Sequence, residues 1–77
     1  MSYVIATCKD GVNYCVRADL SKNKFVLVPV ESDSDLSKVF CHPYRVGAAQ
    51  ILQWIFEHDS DLASQNLEVS AEGKFRD

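Results

Sequence analysis

No stretch of this sequence is apolar for long enough to cross a bilayer as a helix. The longest wholly apolar run, Phe25 to Val30, has six residues, against roughly 20 for a membrane-spanning helix. Nor does a basic segment followed by an apolar one open the chain, so no secretory signal is visible. Basic stripes are also missing. Lys and Arg number 8 against 11 acids, for a net charge of -3, and the cations are scattered. Nucleic-acid affinity rests mostly on phosphate neutralisation, so this balance argues against a general nucleic-acid binder. Cysteines number only 3 and none forms a C-x-x-C pair. An odd count argues against a secreted disulfide framework, and the spacing argues against a structural zinc site. Reduced thiols in a cytoplasm are therefore expected. Alternating acids at Glu31, Asp33 and Asp35 suggest the start of a calcium loop. Counting from Glu31, however, the sixth and twelfth positions hold Leu36 and His42, where that loop needs Gly and Glu. The expectation is no metal and no cofactor.

What is present reads as one small domain over residues 1–77. Hydrophobic residues at 47% and charged ones at 25% are ordinary for a globular domain and argue against disorder except at the ends. A chain this short buries only about 60% of its unfolded surface. That leaves little room for a deep pocket of the usual ~300–1,000 Å³.

Residues 3–8 (YVIATC) and 12–18 (VNYCVRA) are strand-like, and Asp10-Gly11 between them is a strong hairpin signal. A two-residue loop pairs Lys9 with Val12, then Cys8 with Asn13, Thr7 with Tyr14, Ala6 with Cys15 and Ile5 with Val16. Alternation then sorts the side chains. One face carries Tyr3, Ile5, Thr7, Tyr14, Val16 and Ala18, and is the better core candidate. The other carries Val4, Ala6, Cys8, Asn13, Cys15 and Arg17. Phe25–Val30 is a third strand, apolar on both faces and paired with residues 12–18, although Pro29 cannot donate to a ladder.

Beyond Glu31, Asp33 or Ser34 can cap a short turn running to Phe40. Pro43 suits a first helical position. From Tyr44 the period is helical, with Tyr44, Ala48, Ile51, Leu52 and Ile55 on one stripe, Phe56 at its edge and Trp54 on its border. Gly47 costs such a helix about 1 kcal/mol relative to Ala, which suggests close packing on the sheet. Asp59, Ser60 or Asp61 can cap a further turn. Leu67–Ala71 alternates as a fourth strand, and residues 72–77 read as a loose tail that Phe75 could anchor. The fold class is α+β: a small antiparallel sheet in the order β-β-β-α-β, with one main helix packed on one face.

One helix covers one sheet face, so the Val4 and Ala6 face is expected to stand free. An apolar patch of that kind marks a partner surface. The leading expectation is a small non-enzymatic accessory or regulatory protein. It would bind another protein, or a second copy of itself, through that face or a sheet edge, with Val4, Ala6, Arg17 and Trp54 as contacts. Two alternatives stay open. Cys41 beside His42, just ahead of the helix, has the makings of a thiol enzyme or redox protein, although such sequence neighbours often point apart. Arg17, Lys22 and Lys24 around the second hairpin offer a weak nucleic-acid site.

Overall fold

The computed structural model describes residues 2–71; the expected tail at 72–77 lies outside them. In chain order the elements are β1 (Tyr3–Lys9), β2 (Val12–Asp19), β3 (Lys24–Val30), α1 (Asp33–Leu36), α2 (Arg45–His58), α3 (Ser60–Ala63) and β4 (Glu68–Ala71). The strands form one antiparallel sheet in the order β3-β2-β1-β4. With α2 packed on it, the architecture is the α+β class read from the sequence.

The first hairpin follows its turn chemistry. Asp10 and Gly11 take φ of 53° and 79°, the positive pair that a type I′ turn demands. Pairing then runs Lys9↔Val12, Cys8↔Asn13, Thr7↔Tyr14 and Ala6↔Cys15, as the two-residue loop dictates. There it stops, and the expected Ile5–Val16 pair is absent from the ladder. β1 and β2 splay apart instead, and residues 40–42 occupy the gap. Phe40 N–H donates to the Val16 carbonyl at 2.8 Å. His42 and Tyr3 exchange both backbone bonds, at 2.8 and 2.9 Å.

Through that gap the chain passes from one side of the sheet to the other. Before the gap, Leu36 and Val39 join Val4, Ala6, Cys15 and Val30 in one buried cluster. After it, Phe40 packs against the opposite cluster of Ile5, Val16, Ile55, Leu62 and Leu67. The sheet therefore has a core on each face. The first core lies under α2 and α3, on the Ile5 side. The second lies under α1 and the turn after it.

This corrects the expectation of a free face. Val4 is 0% and Ala6 5% exposed, because Leu36 and Val39 close over them. The short turn that Asp33 or Ser34 can cap, running to Phe40, carries Leu36 and Val39 three apart. That spacing puts them on one side of a single helical turn.

The main helix also starts later than expected. Pro43 lies outside it and Tyr44, in extended backbone (φ -122°, ψ 138°), is its N-cap. Tyr44 is consequently 67% exposed rather than part of the buried stripe. Ala48 and Ile55 are fully buried and Ile51 and Leu52 half-buried, as the period requires. Gly47 is buried for a different reason from the one expected. A Cβ there would overlap the His42 imidazole, so the close approach is to His42, seated at the crossing. Asp59 caps α3, its Oδ1 accepting Leu62 N–H at 3.0 Å. Thr7 Oγ1 then donates to the Gln65 carbonyl at 2.8 Å, tying the turn before β4 to β1.

Candidate protein-binding surface

The β2–β3 loop, Leu20–Asn23, is held by Asp19. The Asp19 carboxylate accepts Ser21 Oγ–H at 2.7 Å, Ser21 N–H at 3.2 Å and Lys22 N–H at 3.3 Å. These bonds, led by the Ser21 hydroxyl, hold its carboxyl below the usual carboxylate range. Asn23 turns the chain back with φ of 52°, a conformation that Asn tolerates better than most residues. So fixed, the loop holds Leu20 out in solvent, 88% exposed.

Beside it, alternation along β3 places Phe25 and Leu27 on the face under α2, since Val16 pairs with Leu27 and Ala18 with Phe25. Phe25 meets Phe40 edge to face at 5.9 Å and Trp54 at 6.0 Å. Both separations lie in the favourable range for aromatic pairs. Trp54 in turn stacks on His58, with centroids 4.6 Å apart and rings 13° from parallel. His58 Nδ1–H donates to the Trp54 carbonyl at 3.0 Å, which locks the two rings together at the end of α2. Trp54 remains 46% exposed. Ala18, Leu20, Phe25 and Trp54 line an open cleft of about 230 Å³ with Asp19 and Lys24 beside them. It is apolar where the rings lie and carries one charge of each sign.

The structure separates the four expected contacts. Trp54 lies in this cleft. Arg17 is exposed on the opposite face, in a smaller groove of about 190 Å³ with Val28, Pro29, Asp35 and Lys38. Val4 and Ala6 are buried within the second core. Leu20 and Phe25 were missed. Phe25 is legible, because the β2–β3 register alone puts it on the helix-bearing face; Leu20 lies in the loop between the strands, where no period assigns a face.

Cys41 and His42 are engaged separately. The Cys41 thiol, exposed, donates to the Val39 carbonyl at 3.7 Å. The His42 ring lies under Gly47 and near Phe40, and its Nδ1 accepts Tyr44 N–H at 3.1 Å. The imidazole thus serves the start of α2. The basic hairpin is diluted as well: Lys24 pairs across the ladder with Asp19, and Arg17 and Lys38 share their groove with Asp35.

Among the described residues no group of three or more His, Cys, Asp or Glu is placed to hold a metal ion. None of their helices is long and apolar enough to cross a membrane. No protein-family model, no curated protein and no solved structure matches the chain.

Proposed function

We propose that this chain is a non-catalytic binding domain that docks a protein partner in the cleft between Trp54 and the β2–β3 turn. One observation carries this reading. Leu20 and Trp54, 88% and 46% exposed, converge on one apolar cleft, while the central strands have a core on each side. Such a cluster leaves apolar area in water that a partner would remove, at about 25 cal/mol per Å². Trp with apolar neighbours is also the usual make-up of an interface anchor. The ligand that fits is a protein segment presenting one apolar side chain to the rings, with polar groups for Asp19 and Lys24. An odd count of three cysteines, with the Cys8 thiol exposed, supports a reducing compartment, the cytoplasm, as its place of work.

Trp54 is the chain's only tryptophan, so its emission reports on the cleft alone. Peptides selected against the folded chain from a displayed random library should shift that emission to shorter wavelength on binding. Trp54→Ala, with an unchanged circular dichroism spectrum, should weaken them at least about tenfold, the scale of an interface anchor. Selected peptides that bind Trp54→Ala as well as the parent chain would refute the reading, as would a library that yields none.

A further inference from the structure

The ladder fixes which backbone groups face outward along the open edge of β3. Tyr3 gives both its N–H and its C=O to His42, on the side of β1 away from β4. Residues 5, 7 and 9 therefore point toward β2, and residues 12, 14 and 16 point back at them. Val16, whose carbonyl accepts Phe40 N–H across the splayed gap, agrees with this phase. Residues 13, 15, 17 and 19 then bond to β3 through its positions 30, 28, 26 and 24. Left facing outward on β3 are Phe25, Leu27 and Pro29. Phe25 and Leu27 each offer a donor and an acceptor there; Pro29 offers only an acceptor.

We infer that a second copy of this chain pairs with that edge, antiparallel about a two-fold axis at Val26. In this register Phe25 lies opposite the partner subunit's Leu27, and Leu27 opposite the partner subunit's Phe25. All outward donors and acceptors of both residues are then satisfied. Shifting the axis to Leu27 instead sets Phe25 against the partner subunit's Pro29, where the ring stands in place of a donor. The side chains agree with the Val26 register. Val26 meets the partner's Val26, and the Phe25–Leu27 contact is an aromatic–aliphatic pair of the stabilising kind.

Charge chooses a second copy over another strand. β3 is basic where it begins, at Lys22 and Lys24, and acidic where it leaves, at Glu31 and Asp35. Antiparallel self-pairing brings each basic end beside the partner's acidic end, twice over. The interface is isologous and uses up the β3 edge, so pairing through it stops at a dimer with a continuous eight-stranded sheet. This inference shares with the proposed function the view that the chain works by binding, but it rests on the β3 edge and not on the Trp54 cleft.

The test is a directed cross-link. Cys8 and Cys41 are changed to Ser, buried Cys15 is kept, and Val26→Cys is compared with Val28→Cys under mild copper-catalysed oxidation. Across the axis the two introduced thiols at 26 sit in a non-hydrogen-bonded pair, about 4.5 Å apart at Cα, within disulfide reach. Those at 28 are offset by four residues, about 13 Å. Val26→Cys should give a covalent dimer and Val28→Cys should not. In the unsubstituted chain, exchange of the Phe25 and Leu27 amides should slow as concentration rises. Glu31→Lys, counted twice across the axis, should weaken self-association about tenfold. A chain that stays monomeric at millimolar concentration, or thiols at 28 that cross-link as readily as those at 26, would overturn the pairing. Because Trp54 is untouched, peptide binding in the cleft can still be read in either case.

Discussion

Cys15 shows what a second core does to a single side chain. It sits on the face opposite α2, among Val4, Ala6, Leu36 and Val39, and is 0% exposed. Burial pushes its thiol up from 9.0 to about 12, and the neighbouring Cys41 adds to the rise. Two consequences follow. Cys15 stays protonated at neutral pH and is inert, because the thiolate is the nucleophile; Cys8 and Cys41, both exposed, are not so protected. A disulfide-exchange reagent at pH 8 should therefore titrate two thiols quickly in the folded chain and the third only on unfolding. Three fast thiols would show that Leu36 and Val39 do not seal this face. The second consequence is a pH dependence. A group whose folded pKa is raised keeps its proton where the unfolded chain has released it, so rising pH favours unfolding. The contribution of Cys15 is intact below about pH 9 and is lost progressively between about 9 and 12, at up to ~1.4 kcal/mol per pH unit. Urea midpoints measured across that window should fall more steeply for the parent chain than for Cys15→Ala. Parallel curves would place Cys15 in contact with water.

Among the elements, α2 depends on one glycine. Elsewhere in a helix Gly→Ala gains about 1 kcal/mol. At 47 the added methyl would meet the His42 ring, and overpacking of that kind costs about 1–3 kcal/mol. Gly47→Ala should therefore destabilise the chain by up to about 2 kcal/mol, the balance of those two terms. In a His42→Ala background the same change should stabilise it. A double-mutant cycle from thermal melts reads the coupling directly, and additive effects would remove His42 from beneath the helix. Pairs of this sort show how far the elements could be read from the letters. The first hairpin, the partnership of β2 with β3, the stripe of α2, a cap among Asp59, Ser60 and Asp61 and the fourth strand all follow from local patterns, because turn chemistry and period are local causes. The start at Arg45, two residues beyond Pro43, does not. It depends on where the crossing releases the chain, which is a tertiary matter. Trp54 was legible as a border residue of its helix, and Arg17 as an exposed strand position. Val4 and Ala6 failed as contacts because their face is closed by residues 30 positions further along.

For the whole molecule the governing feature is the passage of residues 40–42 between β1 and β2. No alternation rule foretells it, because Ile5 and Val16 look like an ordinary cross-strand pair and only a distant segment parts them. Its effect is to join the two cores mechanically. Val39 belongs to one and Phe40 to the other, and the peptide between them is pinned by Phe40 N–H on Val16 and by His42 on Tyr3. Withdrawing α1 from its face would drag on Phe40, and lifting α2 would free the His42 seat and open the gap. Neither core can be lost alone without breaking the hydrogen bonds that close the sheet, so unfolding should be a single cooperative event. Leu36→Ala gives the sharpest form of this expectation. It should cost about 2–5 kcal/mol as a buried large-to-small change. It should also lower the melting temperature seen by Trp54 emission on the far face as much as that seen by alkylation of Cys15 on the near one. If Cys15 becomes reactive in this variant well below the temperature at which Trp54 emission shifts, the faces unfold separately and the crossing does not couple them. Coincident curves would show that a chain of 77 residues sustains cores on both sides of its sheet by threading one through to the other.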